Sequence, residues 1–455
     1  MYDLQIGNSL LVPDNRFDAT IVGGGLAGSE AALFLASKGY RVRLIEQKPK
    51  RMSPAHRLDG LCELVCSNSL KSRLLDSASG ILKEELLRLG SRLLPLAEKS
   101  ALPAGGALAV DPAEFSERVS HVIESDPLIQ LEHEELEDLP EDRPSIIATG
   151  PLTGAALSRS IDEHFGAGRL SFYDAIAPTI TFDSLDPSRS FRASRYGKGD
   201  ADYFNAPMDK EQYDAFVAAM VEADAYPSHD FEKDVPYFES CLPVEVIAAR
   251  GPETLRHGTL RPVGLEDPET GRRPWAVLQL RAENREGTLW GLVGCQTKLR
   301  QADQKRIFRM IPALADAEFV RYGAMHRNFF LDFPSNLTRF QESHNSKGLY
   351  FAGQMMGVEG YVESMASGLM AARHLSDRLE EREPSLPPET TLVGALVRFL
   401  EGQKVGHSQP MNVNFGLLPA LAQRERDKRK RKAMMAERSL TDLETWLSER
   451  ETESE

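Results

Sequence analysis

The chain has 455 residues, of which 41% are hydrophobic and 27% charged, and a formal net charge of −14. That length suffices for two or three packed domains, and no apolar run approaches the roughly 20 residues that cross a bilayer. The acidic balance excludes nucleic acid as a partner for the whole surface but leaves room for a local basic patch. The predicted elements begin with a strand over 19–22, a helix over 26–38 and a second strand over 41–46. Apolar residues at helical spacing (Ile81, Leu82, Leu86, Leu89, Leu93) predict a helix over 77–94. A strand over 145–148 runs into Thr149-Gly150-Pro151, and short strands such as 276–280 and 289–293 follow. A buried strand over 349–352 then enters Gly353, and a helix spans 361–379. The prolines of 383–389 mark a linker, and the remainder reads as helical and strongly charged.

This order predicts an α/β fold: a Rossmann-like dinucleotide-binding domain interrupted by an inserted α+β domain, with a helical C-terminal tail. The expected divisions are 1–159 and 331–382 for the two parts of the first domain, 160–330 for the insertion, and 383–455 for linker and tail. The N-terminus has no basic region followed by a long apolar stretch, so no secretory signal is read there. Four cysteines (Cys62, Cys66, Cys241, Cys295) are too few and scattered for a disulfide framework and fit a reducing cytoplasm. No membrane association and no metal site is expected, since Cys62 and Cys66 form a single pair without histidine spacing.

Gly23-Gly24-Gly25-Leu26-Ala27-Gly28 sits between the first strand and the first helix. In such a turn Gly23 permits the bend, Gly25 lets backbone approach a pyrophosphate, and Gly28 lets the helix pack close to the strand. The helix N-terminus offers free N–H groups and the positive end of its dipole to the phosphates. Glu46, 18 residues past Gly28, closes the second strand where a carboxylate can accept from ribose hydroxyls. Two further segments favour FAD over NAD. Ile146-Ile147-Ala148-Thr149-Gly150 is placed to close over the ADP half, and Leu349–Gly353 resembles the late strand that meets a ribityl chain. Gln354 follows that glycine where many flavoproteins carry an acid, and the helix after Gly360 would aim its N-terminus at the flavin. No second strand-led glycine fingerprint appears, so no dedicated NAD(P)H domain is expected.

Glu63-Leu64-Val65-Cys66-Ser67-Asn68-Ser69-Leu70-Lys71-Ser72 is not a generic flavoprotein sequence. Together with the 23–32, 107–111, 173–178, 238–251, 304–312, 321–328, 351–368 and 410–419 blocks, it resembles the folate- and FAD-dependent tRNA (uracil-C5) methyltransferases. The resemblance implies methylation of uridine C5 in RNA, with the T-loop uridine of tRNA as the leading acceptor. The carbon would come from 5,10-methylenetetrahydrofolate, the hydride from reduced flavin, and the reducing equivalents from NAD(P)H. Uracil C5 is a poor nucleophile until a thiolate adds at C6, which makes C5 enolate-like. Cysteine suits that task because its thiolate is accessible near neutral pH and intrinsically reactive. By the resemblance Cys241 is the C6 nucleophile. Cys66 is the second catalytic cysteine, for C5 proton removal or for handling the methylene, and Tyr361 is the flavin-side tyrosine.

Cys62 and Cys295 read as small buried hydrophobes, and His56, His257 and His326 as structural histidines. The family's histidine and tryptophan in the 296–305 stretch are absent here, where Lys298 stands, and Ala206 occupies a position where a cysteine is frequent. A lysine offers a pterin only a point charge, not a stacking plane. The run 424–432, with seven basic residues in nine, fits either an RNA-contacting patch or a solvated helix face. Alternatives to the leading reading are a ribosomal RNA acceptor, an FAD and folate oxidoreductase without RNA, and a non-catalytic RNA-binding scaffold. The related wobble-uridine flavoprotein is disfavoured because its motif carries a histidine where this chain has Leu26.

Overall fold

Ala19–Val22 is buried along its whole length, without the alternation of a half-solvated strand. That is the signature of a strand covered on both faces. It pairs in parallel with Val42–Glu46 on one side and Ser145–Ile147 on the other. Leu349–Phe351 and Ile129–His133 complete a five-stranded parallel sheet at its two edges. The computed structural model describes residues 17–53, 55–141, 144–166, 169–197, 200–223 and 242–452. Helix Leu26–Ser37, buried from Leu26 to Ala36, lies against helix Tyr361–Leu379. The parallel sheet and its covering helices make the α/β, Rossmann-like fold that the sequence leads one to expect.

The predicted 77–94 helix is two helices. Ala78–Arg88 is capped by Ser77, whose hydroxyl accepts from Gly80 N at 3.1 Å. Gly90 then adopts φ +94°, the turn that ends the helix, and Leu93–Lys99 starts afresh. The apolar periodicity carries across the break because both helices face one core.

The chain leaves the parallel sheet through Arg169–Ala175 and returns through Met325–Leu331, which pair antiparallel with each other. Between them lies a six-stranded antiparallel sheet in the order Phe191–Arg192, Tyr203–Met208, Ala276–Ala282, Leu289–Leu292, Thr179–Thr181, Phe319–Arg321. Two large cores result. One draws on residues 19–161 and 331–443, the other on residues 180–317.

The C-terminal segment is more firmly built in than its charge suggests. Leu392, Val393, Leu396 and Leu400 on helix Leu392–Glu401, and Met435, Ala436 and Leu443 on helix Lys428–Thr452, join the first core. Glu85, fully buried, ties both helices to the domain: it accepts from Leu392 N at 2.7 Å, from Val393 N at 2.9 Å and from the Ser439 hydroxyl. Burial raises its carboxyl to about 7. Three donors converge there on one carboxylate, and two of them are N-terminal N–H groups that no intrahelical carbonyl can satisfy.

Candidate functional site

The C-terminal ends of the parallel strands converge on one cleft, the place where open α/β sheets bind ligands. Gly23, Gly25, Glu46, Thr149, Gly150, Gly353, Gln354 and Tyr361 all line it. Gly23 has φ +106°, and a Cβ there would stand 2.5 Å from Ala148 O. A Cβ at Gly28 would stand 1.8 Å from Gly23 O, so the helix can approach the turn only as glycine. Gly25 differs: it is exposed, and a Cβ there meets nothing within 4 Å. Space is therefore kept beside the first N–H groups of the helix, where a pyrophosphate fits.

Glu46 is 7% exposed and holds the turn as well as facing the cleft. Its Oε2 accepts from Gly24 N at 2.7 Å and its Oε1 from Lys48 N at 2.9 Å. Each carboxylate oxygen keeps a further lone pair for a ribose hydroxyl. Lys48, which no motif singles out, is buried beside it and lines the same cleft. Its ammonium donates to Leu58 O at 3.1 Å and pairs with Glu63 at 3.5 Å, which fixes the loop leading to Cys66. His56 also lines the cleft, and burial, then Lys48, hold its imidazole below the usual range.

At the other end Thr149 shares a hydrogen bond with Thr153 at 2.7 Å and donates to Met355 Sδ at 3.1 Å. Gly150 (φ +71°) and Gly353 (φ +78°) take conformations that favour glycine. Gly353 N donates to the Ser367 hydroxyl at 2.7 Å, joining the late strand to helix Tyr361–Leu379. Gln354, which lines the cleft, donates from Nε2 to Glu359 Oε2 at 2.9 Å, so the amide's donor side is engaged and its carbonyl oxygen is the acceptor it can offer. Gly360, at φ +119°, caps that helix from behind, and Tyr361 and Ser364 of the first turn line the cleft. Open space at Gly25, the carboxylate of Glu46 and the helix turn at Tyr361 fit the diphosphate, ribose and flavin of FAD in that order.

Cys66 and Tyr361, 295 residues apart, are brought together. The Tyr361 hydroxyl accepts from Cys66 N at 2.8 Å and from Ser67 N at 3.2 Å. The 61–68 segment is a loop, so Cys62 and Cys66 do not share a helix face. Cys62 is 1% exposed with its thiol pushed up to about 12 by burial, and burial pushes Cys295 up as well. Both are poor sources of thiolate. Asn68, missed as a single residue in the sequence, anchors the Cys66 loop on its other side. Its amide donates to Val110 O at 3.1 Å and to Ala282 O at 2.9 Å, and its carbonyl accepts from Arg281 Nε at 2.9 Å. The loop is thereby tied to a strand of the inserted sheet.

Cys241 lies outside the described residues, which resume at Leu242. Val244 N donates to Gln296 O at 2.7 Å, and Glu245 accepts from the Thr297 hydroxyl and from Lys298 N, both at 2.8 Å. The Lys298 segment is thus packed against the stretch that follows Cys241. Among the described residues no group of three or more His, Cys, Asp or Glu side chains could hold a metal ion. No described helix is long and apolar enough to cross a membrane.

A family model described as glucose inhibited division protein A matches residues 18–383. The chain is 52% identical over 430 residues to a Geobacter sulfurreducens protein named methylenetetrahydrofolate–tRNA-(uracil-5-)-methyltransferase TrmFO, covering 94% of this chain and 98% of that one. The chain belongs to the TrmFO proteins of the glucose inhibited division protein A family. An Aquifex aeolicus TrmFO is 49% identical over 429 residues, with 94% of this chain and 96% of that one covered. Among solved structures, GidA of Aquifex aeolicus has the same fold at a TM-score of 0.68 and 16% identity, over 94% of this chain and 74% of that chain. Ala206 is fully buried opposite Leu278 in the inserted sheet, a core position where a small side chain fits.

Proposed function

We propose that this protein transfers the one-carbon unit of 5,10-methylenetetrahydrofolate to C5 of the T-loop uridine in tRNA, with FAD as its cofactor. The observation that supports this most directly is the Cys66 loop docked on Tyr361 at the flavin end of a dinucleotide cleft. Gly25 and the helix N-terminus would hold the diphosphate, Glu46 the adenosine ribose, and Thr149, Gly150, Gly353 and Gln354 the ribityl side. When bound in its reduced form, FAD supplies the hydride that completes the methyl group.

On this reading Cys241 adds as thiolate to uracil C6, and the electron pair of the C5–C6 bond becomes available at C5 for the folate carbon. Cys66 then removes the C5 proton, and the electron pair left at C5 breaks the bond between the methylene carbon and the folate nitrogen, releasing tetrahydrofolate and leaving an exocyclic methylene. Hydride addition to that methylene makes the methyl group and returns an electron pair to the ring, which expels the Cys241 thiolate from C6 and restores the C5–C6 double bond. Tyr361 holds the backbone on which the Cys66 thiol is presented, so its hydroxyl positions that thiol. NAD(P)H serves as the reductant from solution, and the working compartment is the reducing cytoplasm, where both cysteines stay thiols. We also propose the domain divisions near 160 and 331, on the two cores.

The test is nucleoside analysis of an unmodified tRNA transcript after incubation with enzyme, methylenetetrahydrofolate and NADPH. 5-Methyluridine should form on the wild-type transcript and not on one whose T-loop uridine is replaced by cytidine. Equal formation on both transcripts would move the acceptor elsewhere.

A further inference from the structure

The run 424–432 concentrates seven cations in nine residues of a chain whose net charge is −14. Its last five, Lys428 to Lys432, open helix Lys428–Thr452. Two elementary effects oppose that arrangement. The first turn holds no acidic residue, so the cations face the positive end of the helix dipole. Lys428 also lies three and four residues before Arg431 and Lys432, where like charges repel. Asp427 offsets part of this by accepting from Arg429 N at 2.8 Å and Lys430 N at 2.9 Å. Five consecutive residues wrap the whole circumference of a helix, so the run is not one solvated face.

Its position in the fold is specific. Lys428–Arg431 are exposed, whereas Lys432 turns inward, donating to Asp76 O at 2.8 Å and lying 5.0 Å over the Phe415 ring. Asp76 ends the short stretch that begins at Cys66 and carries Lys71 and Arg73, whose side chains are 42% and 38% exposed. The segment bearing Phe415 is in turn held to the cleft: Glu359 N donates to Met411 O at 2.9 Å, and Val413 N to Glu363 at 3.2 Å. Lys71 pairs with that same Glu363 at 3.3 Å. Two stretches distant in sequence, 71–73 and 428–432, thus bring cations beside the loop of Cys66, and the uncharged 411–415 segment joins the second of them to the helix of Tyr361.

We propose that Lys428, Arg429, Lys430 and Arg431, continued by Lys71 and Arg73, form the surface that holds the phosphate backbone of the substrate RNA while its uridine enters the cleft. This rests on the reading of RNA as the substrate and adds where its backbone lies. Phosphates would neutralise charges that the isolated helix start holds against its own dipole.

The experiment compares full-length holoenzyme with a K428Q/R429Q/K430Q/R431Q variant, titrating an unmodified tRNA transcript at several salt concentrations. The slope of log affinity against log salt should become shallower by roughly 2–4, and affinity near 150 mM salt should fall at least tenfold. FAD content should be unchanged and the melting temperature equal or higher, since repulsion is removed; a purely structural run would lower it. R272Q/R273Q, changing exposed arginines of the inserted domain, serves as control and should leave the slope unaltered. An unchanged slope in the quadruple variant, or an equal drop in the control, overturns the proposal. So does a variant that keeps tRNA affinity but loses binding to phosphatidylserine vesicles. If the wild type makes 5-methyluridine while the slopes agree, this inference alone fails. If the slopes differ as expected while the wild type makes none, the surface stands and the methylation reading fails.

Discussion

Asn68→Ala removes three hydrogen bonds at once, since the 2% exposed side chain serves Val110 O, Ala282 O and Arg281 Nε. A made hydrogen bond is worth about 1 kcal/mol and an unsatisfied buried group costs about 1–3 kcal/mol. With one carbonyl buried and the other groups half-buried, the loss should be roughly 2–4 kcal/mol. In a chain of this size that lowers the melting temperature by several degrees. The effect on rate is the sharper part. Asn68 stands two residues after Cys66 and ties that loop to the inserted sheet, so its loss frees a thiol that must be placed within an ångström or so. Misplacement of that order costs about 100-fold in rate. 5-Methyluridine formation should fall in kcat, with FAD content and the KM for folate nearly unchanged. Asn68→Asp keeps the acceptor for Arg281 but sets carboxylate oxygens against two carbonyls, so it should do no better than alanine. An Asn68→Ala enzyme that is less stable but turns over at the wild-type kcat would reduce the residue to a structural bolt and refute the reasoning.

Gly25→Leu should fold, because nothing lies within 4 Å of the new Cβ, yet purify colourless because the side chain fills the diphosphate space; a yellow protein would remove Gly25 from the cradle. Glu46→Gln should weaken FAD retention by roughly 1–2 kcal/mol, and also lower the melting temperature, since an amide cannot accept from both Gly24 N and Lys48 N; equal affinity by fluorescence titration would contradict it. Cys66→Ala and Cys241→Ala should each abolish 5-methyluridine formation with FAD retained, whereas Cys62→Ala and Cys295→Ala should leave it largely intact; the nucleoside assay decides, and wild-type activity in Cys241→Ala would void the nucleophile assignment. His374 is fully buried and held down to about 3, against an ordinary value near 6.5, chiefly by burial. The fold therefore prefers the neutral ring, and the stability it contributes is present above pH 6.5 and lost as pH falls toward 3, at about 1.4 kcal/mol per unit. Glu30 and Glu85, both raised to about 7 by burial, act oppositely between pH 4.5 and 7. The test is thus the difference between wild type and His374→Gln in denaturant titrations at several pH values, and a difference independent of pH would contradict the assignment.

The glycine turn was legible because each residue's backbone demand is local: a bend at Gly23, open space at Gly25, a helix contact at Gly28. Helix Tyr361–Leu379 was equally legible, with Gly360 as its punctuation and a run of apolar residues behind it. What escaped the sequence depends on distant partners. Asn68 reaches a carbonyl 214 positions away, and Glu85 caps a helix 307 positions away, so neither leaves a spacing to read. The edge strand Ile129–His133 is only partly buried, and its alternation is too weak to stand out between helix and loop. The C-terminal segment misled in the opposite way. The charges of its last helix dominate the composition, and they hide both the dense apolar run 392–400 and the sparser Met435, Ala436 and Leu443 that enter the core.

The central claim is that the methyl carbon comes from folate and reaches uridine through this protein. It is tested most directly by supplying 5,10-methylenetetrahydrofolate labelled with carbon-13 in the methylene, together with NADPH and unmodified tRNA transcript, and weighing the nucleosides. The account predicts 5-methyluridine one mass unit heavier than the unlabelled nucleoside, formed by the wild type and by neither Cys66→Ala nor Cys241→Ala. Unlabelled 5-methyluridine, or folate-dependent flavin oxidation with no modified uridine at all, would contradict it.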